Sequence, residues 1–289
     1  MIELLATLFA ALAGLAFGSF LNVCLSRWPE GESVVKPRSH CRTCNRTLTW
    51  WENIPLLSWL ALRGRCRTCK SPIGWRYPLV EAAMGLLWGL AFGRFVARLL
   101  GDVPAGALAL YAVECAGTMI LLWLLVALAA LDAEHLWLPD WLTIPGAVLG
   151  LLAEGLRAWL QNNGITSPSP LEAVLVRALE AIGVAALILL IRALYGLLRR
   201  REGLGLGDAK LLALLAAWLG LPGAALAFVV GVVLGTLAAL VALLQPRRDN
   251  QEPWAQMKLP LGTFLCLGGI LSNLWGQPII KIYLKWAGF

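Results

Sequence analysis

The sequence predicts an all-α polytopic membrane protein with about eight transmembrane helices, and three observations lead there. Of 289 residues, 59% are hydrophobic and only 14% charged, more apolar than a water-soluble core of this size requires. Apolar runs of roughly 20 residues recur along the chain, the length needed to cross ~30 Å of hydrocarbon. The net charge of +7 resides in one segment, residues 26–77, which holds ten Lys or Arg against three Glu. Fourteen tryptophans suit the same solvent, because indole rings favour bilayer interfaces.

Taken in order, residues 1–25 form the first span. It opens with Glu3 rather than basic residues and offers no cleavage site before Arg27, so it reads as a mature helix and not a signal peptide. Its Gly14-Leu-Ala-Phe-Gly18 spacing suits close helix packing. Residues 26–77 form the basic segment, and 78–289 a membrane core with spans near 78–100, 106–131, 141–160, 171–198, 208–221, 222–244 and 260–280. The sixth and seventh spans meet at Gly220-Leu-Pro-Gly223, a tight turn between antiparallel helices. The last span ends near Pro278, beyond which two lysines follow.

Orientation follows from the loops. A basic segment directly after a first span reads as a cytoplasmic address. No nucleic-acid-binding motif accompanies the charge, so nucleic acid is not an expected partner, whereas membrane lipid is. Alternate crossings then put 132–140, 199–207 and 245–259 on the cytoplasmic side, together with Arg199-Arg200-Arg201, Arg247-Arg248 and Lys258. The opposite loops, 101–105 and 161–170, contain no Lys or Arg. Arg94 and Arg98 run against the trend and are expected to snorkel. Asp132 and Asp208 both fall at cytoplasmic helix ends.

Within the basic segment, Cys41-Arg-Thr-Cys44 and Cys66-Arg-Thr-Cys69 form two CxxC pairs. This spacing points to a tetrahedral thiolate zinc site, and a reducing cytoplasm disfavours the rival disulfides. Four thiolates leave no open position for water, so the metal is expected to fold the segment rather than do chemistry. His40 either replaces one ligand or is a solvated loop residue. Cys24, Cys115 and Cys266 lie in apolar runs as small hydrophobes.

Asp132 stands where the third apolar run stops, Asp140 opens the next, and Asp208 follows Gly203, Gly205 and Gly207. Asp140 reads as a helix N-cap. Asp208 is either a cap or a functional carboxylate, and the glycines before it allow close backbone approach. Two neighbouring aspartates cannot both ionise, so they share a proton and can cleave a peptide bond without metal or covalent intermediate. Magnesium-diphosphate chemistry would need acids clustered on one helix, and here they are single. Lys210 either snorkels to lipid phosphate or holds one aspartate ionised. His135 reads as an interface residue. Glu81, Glu114, Glu154 and Glu180 lie in or beside spans and allow a transporter reading. Pairing of Glu154 with Arg157 at i, i+3 accounts for the third of them.

In this order along the chain, GSFLNVCLSRWP, the two CxxC pairs, WENIPLLSWLALRGRC, RYPLVE, LDAEHLWLPD and GLGLGDAKLLA make it resemble the bacterial type IV prepilin peptidases over nearly its whole length. Presenilin-type proteases share the Gly-x-Gly-Asp piece but lack the cysteine-bearing segment. The resemblance implies an aspartic endopeptidase of the bacterial inner membrane with Asp132 and Asp208 as its catalytic pair. It implies zinc-type ligands at Cys41, Cys44, Cys66 and Cys69. It further implies cleavage of basic leaders from type IV prepilins and type II secretion pseudopilins on the cytoplasmic side, with S-adenosylmethionine-dependent N-methylation of the new terminus. The chain departs from the family in a long interval between the two aspartates, with extra residues at 161–170 and around Arg199–Arg201. It departs again in the run Leu259-Pro-Leu-Gly-Thr-Phe-Leu265, where a Pro-Phe-Gly-Pro-Phe-like run is expected. No glycine-rich nucleotide fingerprint follows a strand pattern, so the sequence does not place the cofactor. A non-catalytic zinc-containing scaffold of a secretion or pilus system is the alternative in another class.

Overall fold

The computed structural model describes residues 2–101, 103–104, 106–161, 169–199, 205–244 and 259–288. Its regular elements are helices: α1 (Ile2–Arg27), α2 (Leu57–Ala61), α3 (Arg76–Leu99), α4 (Ala107–His135), α5 (Asp140–Gln161), α6 (Pro170–Arg199), α7 (Leu206–Leu244) and α8 (Leu261–Ala287). Six of these, α1, α3, α4, α6, α7 and α8, are long and apolar enough to cross a membrane. α5 is the long helix left out; Glu154 and Arg157 interrupt its apolar run. The chain divides into two compact units, Met1–Ala127 and Leu128–Phe289, with the division inside α4.

In the first unit α1 packs on α3, and the Gly14/Gly18 pair explains how. A Cβ on Gly18 would come within 2.8 Å of the Glu81 Cα, and one on Gly85 within 2.7 Å of the Leu15 side chain. Gly89 likewise faces Ala11. Small residues four apart on both helices therefore let the backbones meet, the packing used where lipid supplies no hydrophobic drive. Trp88 Nε1 donates to the Met119 carbonyl at 3.1 Å, tying α3 to α4. Arg98, expected to snorkel, pairs with Glu114 of α4 at 2.6 Å.

In the second unit α5 packs on α6 and α7, α6 on α7, and α7 on α8. α7 is broken at Gly220, whose φ of 71° and ψ of 175° leave the helical region. A Cβ there would overlap the Arg177 guanidinium, so glycine is required twice over. Beyond the break, Gly235 faces Phe264, Gly231 faces Leu265, Gly268 meets Ala227, and Gly223 meets Ser272. Rising numbers on α8 meet falling numbers on α7, so the second half of α7 runs antiparallel to α8. Before the break, Gly207 lies against Leu138, which also touches Gly262 at the start of α8. Both ends of α7 thus lie toward the beginning of α8, and Gly220 reverses the chain, as the Gly-Leu-Pro-Gly turn predicts.

The break is fastened by charge. Arg177 donates to Glu154 at 3.1 Å and to Glu180 at 3.2 Å. Glu180 in turn accepts the Leu221 N–H at 3.3 Å, and Arg157 meets Glu154 at 2.9 Å. The i, i+3 pair expected for Glu154 is present and belongs to this larger network. α8 runs past the expected end near 280, through Pro278 to Ala287. Arg200, Arg201, Arg247, Arg248, Lys258 and most of the 161–170 loop lie outside the described residues.

Candidate active site and metal centre

α4 ends at a left-handed residue, Leu136, with φ of 50°. Its N–H bonds to the Asp132 carbonyl at 2.9 Å, which closes the helix as a glycine ordinarily would. Trp137, Leu138 and Pro139 then lead into α5. The Pro139 carbonyl accepts from the N–H groups of Leu142 and Thr143 and from the Thr143 hydroxyl. Pro139 therefore occupies the cap position, and Asp140 is the first helical residue rather than the cap the sequence suggests. Asp140 is exposed and pairs with Lys210 Nζ at 2.5 Å. Lys210 thus holds an aspartate, but not one of the two singled out for catalysis.

Asp132 is buried, only 6% exposed. Its Oδ2 accepts the Thr263 N–H at 2.6 Å and the Thr263 hydroxyl at 3.1 Å. Gly262 gives the carboxylate room, since a Cβ there would lie 2.9 Å from its Cγ. Asp208 is the third residue of α7, and its Oδ2 reaches back to the Gly205 N–H at 3.1 Å. That bond is half of a capping box, so Asp208 supports the helix start from the third position, and Gly205, not Asp208, stands where the sequence reading put a cap. The glycines before it serve the approach as expected: Gly205 packs on the carboxylate, and Gly207 leaves space for Leu138.

The structure brings the two aspartates into one neighbourhood. Leu138 lies against Gly207, next to Asp208, and against Gly262, over Asp132. Each carboxylate has its Oδ2 engaged by donors from the chain. Leu138, Gly262 and Thr263 were not singled out from sequence. The one signal for them is the departure at Leu259–Leu265, where threonine supplies two donors that proline could not. The acids that allowed a transporter reading have partners: Glu114 with Arg98, Glu154 and Glu180 with Arg177, and Glu81 with the Leu56 N–H at 2.8 Å.

In the first unit the two CxxC pairs fold as matching knuckles. Cys41 N–H bonds to the Arg46 carbonyl and Asn45 N–H to the Cys41 carbonyl; Cys66 with Ser71, and Lys70 with Cys66, repeat the pattern. Asn45 and Lys70, each just after the second cysteine, both take positive φ, 55° and 60°. The four sulfurs lie within 4.8 Å of one another, and Cys41 and Cys69 are 3.7 Å apart. Tetrahedral thiolates around zinc at ~2.3 Å stand about 3.8 Å apart, so the residues fit a metal ion. Burial alone would raise the Cys41 thiol, but the main-chain N–H groups of Cys44 and Thr43 hold it at about 6. The Arg46 N–H favours the Cys44 thiolate, yet the neighbouring sulfurs push that thiol up to about 11. A dication is what lets all four ionise together. The His40 ring turns instead to the Arg38 carbonyl, 3.0 Å away.

Around the knuckles, Arg46 pairs with the buried Glu52, and Glu52 completes a capping box with Thr49. The Arg46 hydrogen bond holds the Glu52 carboxyl down at about 2. Trp51 lies under the Arg67 guanidinium, 5.4 Å from ring centroid to carbon, while Trp50 is 77% exposed.

Six apolar membrane-length helices and the described sites define a multi-pass helical membrane protein. Residues 12–95 match the bacterial peptidase A24 N-terminal domain and residues 119–240 the type IV leader peptidase family. A prepilin leader peptidase/N-methyltransferase of Stutzerimonas stutzeri is 34% identical, over 97% of this chain and 94% of its own. The protein of the same description from Aeromonas hydrophila is 35% identical, over 94% and 92%, and that from Burkholderia pseudomallei strain 1026b is 36% identical, over 93% and 85%. No solved structure matches. The chain belongs to the type IV leader peptidase family.

Proposed function

We propose that this chain is an aspartic endopeptidase of the bacterial inner membrane. It removes basic leaders from type IV prepilins and type II secretion pseudopilins on the cytoplasmic side and N-methylates the new terminus. The observation that carries this reading is the neighbourhood of Asp132 and Asp208, each anchored by its Oδ2 to a helix start. Two such carboxylates share one proton. One takes a proton from water as the water oxygen bonds to the scissile carbonyl carbon, and the other protonates the carbonyl oxygen. Collapse breaks the C–N bond, the amine leaves with a proton, and the shared proton is restored.

The four cysteines would hold zinc as a closed thiolate centre that folds the segment at 26–77. For methyl transfer, S-adenosylmethionine supplies a methyl group on a sulfonium sulfur, which departs as a thioether while the amine loses a proton. The reversal at Gly220 supports eight crossings, because α7 spans 39 residues, about 58 Å if straight, nearly twice the hydrocarbon core. Counting α5 and both halves of α7 separately gives that number.

The deciding experiment incubates purified enzyme with a prepilin and weighs both product termini. Asp132→Asn and Asp208→Asn should each cut the rate at least ~100-fold while the protein still inserts and retains metal. Full cleavage by either variant would leave the scaffold reading standing instead.

A further inference from the structure

Asp132 and Asp208 are held in different ways. The Asp208 carboxylate takes its donor from Gly205, three positions back along the chain. Asp132 is held from another helix, by two donors of Thr263: the N–H at 2.6 Å and the hydroxyl at 3.1 Å, both to Oδ2. Thr263 is the third residue of α8, after Pro260 at the cap position. Its N–H is therefore one of the four at a helix start that have no partner within the helix. Gly262 lets it come this close, because a Cβ there would lie 2.9 Å from Asp132 Oδ2. Each carboxylate oxygen offers two lone-pair positions, so two donors fill Oδ2 and leave Oδ1 as the oxygen able to handle a proton.

The Thr263 hydroxyl has a second acceptor. It also stands 3.1 Å from the carbonyl of Ala129, about one turn before Asp132 on α4. A hydroxyl carries a single proton and can serve only one of the two at a time. A hydrogen bond to an ionised acceptor is roughly twice as strong as one to a neutral acceptor, so the hydroxyl proton turns to Asp132 while its carboxylate is charged. Once the carboxyl is protonated that advantage is gone, and the hydroxyl proton can turn to Ala129. Neither move displaces a heavy atom.

We propose that Thr263 is the positioning residue of Asp132. It fills Oδ2, so that Asp132 takes up and gives back the shared proton at Oδ1, and its hydroxyl turns between Asp132 and Ala129 as that proton comes and goes. No proton is gained or lost over a turnover. The assignment rests on the aspartic endopeptidase reading, and the test separates the two. Its readouts are kcat and KM for prepilin cleavage by the purified, metal-loaded full chain, with melting temperature as the check on folding. Thr263→Val keeps the N–H and the shape but loses the hydroxyl. It should lower kcat about tenfold, the size of one lost hydrogen bond to a charged group, with KM within about twofold of wild type. Thr263→Ser restores the hydroxyl and should return kcat to within about threefold of wild type. In an Asp132→Asn background Thr263→Val should cost nothing further, since the group it acts on is gone. Should Thr263→Val not fold, Thr263→Ala takes its place with the same expectation. Wild-type kcat without the hydroxyl, a serine variant as slow as the valine one, or a loss that falls on KM and melting temperature instead of kcat would overturn the positioning role while leaving Asp132 catalytic. Full cleavage by Asp132→Asn would overturn the endopeptidase reading and the positioning role with it.

Discussion

At the scale of single residues, the three aspartates separate by their partners. Asp132 and Asp208 are tied to helix starts through main-chain N–H groups, whereas Asp140 pairs with Lys210, the two side chains 60% and 38% exposed. An exposed ion pair contributes roughly 0–1 kcal/mol, so Asp140→Asn and Lys210→Met should each leave cleavage within a few-fold of wild type. Loss as complete as for Asp132→Asn would mean that the wrong carboxylates have been chosen. Glu52 makes a second case. Its carboxyl lies at about 2, against an ordinary 4.5, so its ionised form stabilises the fold above about 4.5, and that contribution disappears as pH falls toward 2. The melting-temperature gap between wild type and Glu52→Gln should shrink over that window. A gap that persists at pH 2 would assign the effect to packing.

At the scale of elements, the knuckles depend on metal more than on apolar burial. Cys66 is the one buried cysteine of the four, and the segment's regular structure amounts to a five-residue helix and short 3₁₀ turns. Purified protein should therefore carry about one zinc per chain. Chelation or Cys44→Ser should expose residues 28–75 to protease while α1 and α3 stay protected, because metal binding and folding are coupled in such sites. Elemental analysis finding no zinc, with free thiols, would remove the metal from the account. Helices, cysteine spacing and the Gly220 turn were legible in the sequence, because hydropathy, CxxC and Gly-x-Pro-Gly are local signals. The α1–α3 seam was half legible: Gly14 and Gly18 stood out, but their partners Gly85 and Gly89 acquire meaning only once the helices touch. Thr263 and Leu138 were not legible, since a threonine 131 positions from Asp132 becomes its donor only through tertiary packing. Asp140 misled because a carboxylate at a helix start looks like a cap until Pro139 is seen in that position.

For the whole molecule, the net charge of +7 resides in residues 26–77. Arg63, Arg65 and Arg67 are exposed, as are Trp50 and Trp75, a combination suited to anionic headgroups at about 1 kcal/mol per nearby basic residue. Neutralising the three arginines together should slow cleavage more in anionic liposomes than in neutral detergent. Because Arg67 also covers Trp51, a double change of Arg63 and Arg65 separates lipid docking from that stacking contact. Equal loss in both media would sink the docking idea. The reversal at Gly220 reaches further than its own two helices. With both ends of α7 toward the start of α8, the aspartates and Thr263 gather at one face, and α8 leads away from it. Lys281 and Lys285, on its last turns, therefore stand a full membrane thickness from the carboxylates, about 27 to 33 Å along the helix axis, and a charge there reaches neither acid.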